Sequence, residues 1–475
     1  MKKALFFLLT LVLCVVYAFS LASCGGTEPD IEGISYTLSK DGKHYIISRV
    51  GKVEGGIVEI PETYNGLPVK EIGKDAFKSD NIKKITLPNT ITELPQSAFI
   101  GCSSVESITL PNGIKSIPKG AFSSCHKLQD LKIPDSVEFV STNAFDGCEK
   151  LVEVIDNIKY VDIWAIGFDR LADQSTNLTF RDGTVGVSDG FSSYDNGRLK
   201  VTIPDSVKYF HSCIKAAHPD CLTETPDGAQ YIGKWLYSIR GINRTLPFNI
   251  KDGTVGVMPE AFNTTMNTMK PFSTELNIPA SVMFMYSIPY NTEKINVSES
   301  NPYFKSVDGV LYSKDGKTLI CYPKAKPEKG DTINIPDGVT EIADNGFRYC
   351  FAGTVILPSS IEKIGEQAFQ SQFIKNISIP NKVKEIGNGA FDACGFTEIT
   401  IPSSVTSIGI NIFTSCPNLT NITFEDTNNW VAKDASSDKV YSIDLSDPVK
   451  NLEYFKGNTI VVNGKKITIE KWIKQ

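Results

Sequence analysis

The chain has 475 residues, with 48 Lys and Arg against 54 Asp and Glu, for a formal charge of −6. A mildly acidic protein with no basic stripe is a poor match for a polyanion, which excludes nucleic acid as a partner. Apolar residues at 41% and charged ones at 21% are ordinary for a soluble protein.

Lys2 and Lys3 open the chain, an apolar run extends from Ala4 to Phe19, and Leu21-Ala22-Ser23-Cys24 precedes Gly25-Gly26. This pattern predicts an export signal over residues 1–23. Small residues ahead of a lone Cys resemble the lipobox of bacterial lipoproteins, which would leave Cys24 as a lipid-modified N-terminus; an ordinary cleaved signal and an uncleaved anchor are the alternatives. The run falls short of the ~20 apolar residues of a membrane span, and no other stretch approaches that length. The expectation is an exported protein held to a bacterial membrane at one end, at the outer membrane or cell surface, with a charge near −8 once Lys2 and Lys3 are removed. Residues 24–60 are expected to cap the N-terminal end, with a turn at Asp41-Gly42.

Beyond residue 60 a fixed period takes over. Pro88, Pro111 and Pro134 are each followed eleven residues later by Phe99, Phe122 and Phe145. The same spacing returns when Pro336, Pro358, Pro380 and Pro402 lead to Phe347, Phe369, Phe391 and Phe413. A repeat of 22 to 23 residues means a stack of supersecondary units, none able to bury its apolar face alone, so residues 61–150 and 331–416 are expected to be regular coils of a solenoid.

Within one coil, residues 128–148, Leu131 and Ile133 alternate with Lys132, as in a strand with one buried face, and Pro134 ends it. Val137 and Val140 form a second apolar pair, and Ala144-Phe145 leaves room for no more than a short helical turn. Three residues before each proline stand Ile85, Ile108, Leu131, Ile333, Val355, Ile377 and Ile399, and three after it Ile91, Ile114, Val137, Val339, Ile361, Val383 and Val405. These are the expected inward ladders. Thr86, Thr109, Lys132 and Thr400, two residues before each proline, are expected to point outward, with Lys84 beside them. That column is either a solvated sheet face, for which Thr is a natural choice, or a binding surface.

Residues 151–330 lose the short period and show a long one. Arg181-Asp182-Gly183-Thr184-Val185-Gly186-Val187 recurs as Lys251-Asp252-Gly253-Thr254-Val255-Gly256-Val257, and Trp164 answers to Trp235. The block reads as duplicated, degenerate coils whose extra residues, around Trp164 and from Tyr231 to Trp235, form hairpins projecting from the stack. Their aromatic rings either pack on the coil below or offer a sugar-stacking platform. A further hairpin is expected to turn at Asp315-Gly316. After Pro417 the Phe column stops, and residues 417–475, with a hairpin at Asn463-Gly464, are expected to cap an otherwise open end.

These coils, with Ile57-Val58-Glu59-Ile60-Pro61-Glu62-Thr63-Tyr64-Asn65-Gly66-Leu67-Pro68-Val69 ahead of them, resemble the BspA-type leucine-rich repeats of bacterial surface proteins across nearly the whole mature chain. The chain departs from the general leucine-rich consensus, which places Asn or Cys after the strand, in having Thr90, Gly113, Ser136, Gly338, Ser360 and Ser404 there. The resemblance implies a mainly β, curved or twisted leucine-rich-repeat solenoid and a role in adhesion, with no catalytic residues to carry over.

Of the 11 Cys, Cys102, Cys125, Cys148, Cys350, Cys394 and Cys416 all follow a repeat Phe by three residues, which marks a packing position for a free thiol rather than a disulfide framework. His211, Cys213, His218 and Cys221 leave three fates open: a Cys213–Cys221 disulfide, free thiols, or a Zn site whose spacing fits no common pattern. No phosphate loop, nucleophile elbow or calcium loop is present, so neither metal nor cofactor is expected. The preferred function is a surface-exposed, lipid-anchored, non-enzymatic and monomeric binding protein whose partner is a host or bacterial surface protein or glycan. The alternative is a glycan-binding subunit of an uptake system.

Overall fold

The computed structural model describes residues 33–79, 81–168, 177–191, 200–212, 214, 217–239, 246–259, 261–262, 273–287, 292–324, 326, 330–371, 373–435, 439–462 and 465–474. The fold is mainly β, a solenoid of ~23-residue coils. Two compact units are present, one running to Val137 and taking in Asn143–Val152, the other comprising Glu138–Thr142 and the chain from Glu153 onward. None of the described helices is long and apolar enough to cross a membrane.

In the first unit each coil lays down a short strand ahead of its proline. Ile57–Glu59, Lys84–Thr86, Ser107–Thr109 and Asp130–Leu131 pair in parallel and in register. Alternation sorts the faces, so Val58, Ile85, Ile108 and Leu131 are buried while Lys84 and Asp130 point to solvent. Ile91, Ile114 and Val137, three residues past each proline, complete the inward ladder. The hydroxyl that replaces the consensus Asn or Cys has its own task. Thr90 Oγ1 donates to Val69 O at 2.6 Å and Ser136 Oγ to Ile114 O at 2.7 Å, each supplying a carbonyl one coil back with the donor it would otherwise lack. Ser360 and Ser404 do the same for Val339 and Val383 in the second unit.

The third side of each coil is a stacked turn. Phe77, Phe99, Phe122 and Phe145 follow one another with ring centroids 5.0, 5.2 and 5.1 Å apart. Phe99 N–H donates to Ala121 O and Phe122 N–H to Ala144 O, both at 2.8 Å, so Ala-Phe is a hydrogen-bonding rung as well as a core element. The segment is short and hydrogen-bonded as a turn, Ala98 N–H donating to Pro95 O at 3.2 Å and Cys102 N–H to Phe99 O at 3.1 Å, and it does not lengthen into a helix. Ser97 (φ 58°) and Gly101 (φ 72°) on either side of Phe99 are left-handed, and a right-handed helix cannot pass through them. The Cys three residues on belongs to the same rung. The thiols of Cys102, Cys125 and Cys148 donate to the carbonyls of Phe77, Phe99 and Phe122 at 3.3, 3.2 and 3.0 Å, which asks for a small apolar side chain with one donor. The N-terminal end is closed by a hairpin of Ile34–Leu38 and Tyr45–Val50, turning at Asp41-Gly42 as expected, with Leu67–Ile72 parallel to its second strand.

The second unit repeats one topology. Glu153–Ile155, Ile158–Val161 and Trp164–Phe168 form an antiparallel meander, and the last of these pairs in parallel with Gly186–Val187 and then Tyr209–Phe210. Thr223–Glu224, Gln230–Ile232, Trp235–Ser238, Gly256–Val257 and Phe284–Met285 follow the same order. A third meander, Phe304–Val307, Val310–Ser313 and Thr318–Cys321, turns at Asp315-Gly316 and leads into the regular parallel run Glu341–Ile342, Lys363–Ile364, Glu385–Ile386 and Ser407–Ile408. The hairpins expected to project are instead built into the stack: Tyr160, Val161, Trp164, Tyr231, Ile232 and Trp235 are all buried. The third strand of each meander occupies a coil position and bonds in parallel to the next coil, so it cannot stand clear of it.

In the second unit Phe347, Phe369, Phe391 and Phe413 form a ring column of their own at 5.2, 5.6 and 5.9 Å, and Cys394 and Cys416 donate to Phe369 O and Phe391 O. The C-terminal cap replaces the missing next coil piece by piece. Phe413 N–H donates to Phe455 O at 3.2 Å, at the end of the helix Asn451–Phe455, and the Phe455 ring is buried. Lys465–Lys474 pairs antiparallel with Ser407–Ile408 and buries Trp472. Asn451 Nδ2 donates to Ile422 O, a strand carbonyl at the open end, and to Leu445 O within the cap. Thr459–Val462 and Lys465–Lys474 form the expected terminal hairpin; its turn residues, Asn463 and Gly464, lie outside the described residues.

Phe369→Ala is expected to lower stability by about 3 to 5 kcal/mol, because it empties a buried rung, whereas Thr400→Ala on the exposed face should stay within about 0.5 kcal/mol. Thermal or denaturant melts of the two variants decide it; equal losses would reverse the assignment of inward and outward ladders.

Candidate binding surface

The outward columns of the proline-side sheets are the surface the fold leaves most open. In the first unit Lys84, Ser107 and Asp130 share one register column and Glu59, Thr86 and Thr109 the next. Lys84, Thr109 and Lys132 are exposed and Thr86 is half-buried. The strand ends at Leu131, so Lys132 continues the second column from a position beyond the ladder. Thr109 and Lys132 meet in the wall of a depression of about 260 Å³. Thr400 is likewise exposed, in register with Thr423, and belongs to the second unit.

The second unit also carries an outward amide ladder that sequence reading passed over. Asn277 Nδ2 donates to Asn249 Oδ1 and Asn296 Nδ2 to Asn277 Oδ1, both at 2.8 Å, and Asn296 Nδ2 also reaches Glu275 at 2.9 Å. Its signal was the recurrence of Asn between apolar residues in Phe248-Asn249-Ile250, Leu276-Asn277-Ile278 and Ile295-Asn296-Val297. The other sheet of this unit is already satisfied by its own charges. Lys363 Nζ lies 2.8 Å from Glu341 in the adjacent strand, a hydrogen bond that raises the lysine pKa, and Lys384 lies 3.6 Å from Glu362.

Trp164 and Trp235 are not on the surface. Each is 1% exposed, so neither offers a sugar-stacking face. Trp164 stacks on Tyr209 at 5.8 Å and Trp235 on Phe284 at 6.4 Å, while Tyr209 meets Phe284 at 5.1 Å and His211 meets Tyr286 at 4.9 Å, joining the two duplicated blocks through their rings. The duplicated motif makes the room. Gly186 pairs with Trp164 and Gly256 with Trp235, and a Cβ at either glycine would overlap the indole. Tyr160 and Tyr231, one coil earlier, accept from Arg181 N–H and Lys251 N–H at 3.0 Å. Sequence reading saw the motif and its period but not that its second Gly exists for the Trp.

The described His and Cys of the middle block do not converge on a ligand. His211 Nε2 contacts Glu138 O at 2.6 Å, His218 Nδ1 accepts from Asp220 N–H, and Cys221 Sγ donates to His218 O. Cys213, and with it the disulfide alternative, lies outside the described residues, as do Cys24 and the export signal. Among the described residues no group of three or more His, Cys, Asp or Glu is placed to hold a metal. The described cysteines are free thiols, and burial pushes Cys350 up to about 12 and Cys416 to about 11, which keeps them protonated.

A family model for the BspA type leucine rich repeat region matches residues 58–167 and 328–442, in six copies. Among solved structures, the chain is similar to a leucine rich cell surface protein from Faecalibacterium prausnitzii A2-165, with 23% identity over 86% of this chain and 97% of that one, at a TM-score of 0.29. It is also similar to a leucine-rich repeat protein from Eubacterium ventriosum ATCC 27560, with 18% identity over 83% of each chain and a TM-score of 0.33. A third is the pneumococcal vaccine antigen PcpA, at 20% identity over 85% of this chain and 84% of that one, with a TM-score of 0.31. No curated protein matches the sequence.

Gly186→Ala should destabilise by about 1 to 3 kcal/mol through overpacking, and combining it with Trp164→Leu should recover part of that loss in melts; additive losses would contradict the steric account. Burial holds His211 below the usual histidine range, against the opposing pull of the Glu138 carbonyl and the Asp189 and Glu138 carboxylates. The unfolded chain therefore takes up the proton first as pH falls, so this contribution is intact above about pH 6.5 and is lost below it. His211→Gln should flatten the fall in melting temperature between pH 7 and 5; an unchanged slope would remove His211 from the account.

Proposed function

The chain is built of BspA-type leucine-rich repeats, and from that we propose that it is a surface-exposed, lipid-anchored, non-enzymatic protein that binds a host or neighbouring-cell macromolecule. The observation that carries this reading is the open outward column of the proline-side sheet. Lys84 and Thr109 point to solvent from strands and Lys132 from just past one, whereas on the other sheet, in the run from Glu341 to Ser407, Lys363 pairs with Glu341 and Lys384 with Glu362. Repeat arrays bind through such extended surfaces, with many modest contacts and no deep pocket. The repeat family, one of bacterial surface proteins, supports the placement, and Leu21-Ala22-Ser23-Cys24 supports the anchor. The glycan-uptake reading loses its strongest support with the burial of Trp164 and Trp235.

Three outcomes follow. Cys24→Ser should move the protein from the membrane to the soluble fraction with an unchanged melt, since the tether precedes the first coil; retention in the detergent phase would point to an uncleaved anchor. Protease shaving of intact cells should remove the wild-type protein. In titrations against extracellular-matrix proteins and a glycan array, Lys84→Ala with Lys132→Ala should weaken binding about two- to tenfold, and turnover of any polymer would sink the non-enzymatic reading.

A further inference from the structure

The first unit departs from its own regularity at one place on the open face. Ile60 N–H donates to Thr86 O at 3.0 Å and Leu87 N–H to Thr109 O at 3.1 Å, zipping successive coils together past the strand ends. Asn112 N–H likewise donates to Asn89 Oδ1 at 3.1 Å. Among the described residues no such bond links Leu110 to Lys132, or Asp135 to Asn112. The two coils part there, and the depression of about 260 Å³ lies in the gap.

The chemistry of its lining is mixed in an informative way. Asp130 and Asp135 only accept hydrogen bonds, Lys132 only donates, and Asn112 and Thr109 do both, over a floor that includes Leu110 and Pro134. Lys132 makes no ion pair with either carboxylate among the described residues, and Asp130 Oδ2 accepts from Ser107 Oγ at 2.8 Å, which leaves its other oxygen and the Asp135 carboxylate to face the depression. A cationic side chain in that space would satisfy the carboxylates and be repelled by Lys132. An anion would meet the reverse. A polyol answers both, because each hydroxyl donates to a carboxylate and accepts from an ammonium, and the C–H face of a pyranose suits the apolar floor. The volume is below the roughly 300 to 1,000 Å³ of a pocket for a larger small molecule, which limits the occupant to about one ring.

We infer that this depression is a subsite for a single neutral sugar residue of a surface glycan. The inference rests on the reading of the outward face as a binding surface and names the ligand chemistry of one point on it. The test is saturation-transfer NMR on the purified full chain carrying Cys24→Ser, with a panel of neutral monosaccharides and their short oligomers. At least one sugar should give a saturable signal, weakened about two- to tenfold by Asp135→Ala and by Lys132→Ala and unaffected by Glu385→Ala on the other sheet, with all melts unchanged. No saturable signal from any sugar would overturn the subsite. So would a basic peptide whose binding is lost in Asp135→Ala but gained in Lys132→Ala, since that assigns the depression to a protein ligand. Matrix-protein binding that Lys84→Ala weakens, in a chain with no sugar response, would sink the subsite while leaving the surface reading in place.

Discussion

Each regular coil of this protein closes the apolar edge of the one before it, and the rung that does so is a buried Phe, most often set in Ala-Phe-x-x-Cys. In that one segment the Phe ring stacks on its neighbour at about 5 Å, its amide bonds the next coil, and its carbonyl takes the thiol from the coil ahead. Apolar burial and hydrogen bonding are satisfied by the same residues. That is why the period varies so little wherever the rung is kept, and why the Cys is small, buried and unoxidised rather than part of a disulfide scaffold.

A stack held together by neighbour contacts has two exposed ends, and the ends show the same requirement from the other side. The C-terminal segment reproduces the missing coil function by function: Phe455 for the next ring and the next carbonyl, Asn451 for a donor to the Ile422 carbonyl at the open end, and an antiparallel strand over Ser407–Ile408. The antiparallel direction matters, because it ends a parallel ladder that would otherwise template further pairing.

The middle block shows how far another side of the coil can be varied. Where the third meander carries Thr318 opposite Glu341, the duplicated blocks carry Trp164 opposite Gly186 and Trp235 opposite Gly256. The indoles are accommodated by a glycine one strand away and covered by rings from both blocks. Aromatic residues there extend the core rather than the binding surface. The open chemistry is left on the proline-side sheet, where Thr, Lys and Asn columns stand on a backbone already committed to the stack.

The period, the inward ladders, the turns at Asp-Gly and the need for caps were all legible in the sequence, because a repeat states its packing rule several times and chance agreement is quickly excluded. The outward column was legible for the same reason, since alternation on a strand assigns the opposite face once one face is known. What sequence could not assign was the direction in which non-repeating residues face. For Trp164 and Trp235 both packing on the coil below and a surface platform stayed open, because nothing local marks Gly186 and Gly256 as their partners, one coil away in sequence. The Asn ladder and the gap between the coils of Thr109 and Lys132 depend on which strands lie side by side and where a hydrogen bond fails to form. Local pattern determined how each coil is built; only the stacked structure decided what each coil meets, because burial and unmet hydrogen bonds are properties of neighbours brought together by the stack.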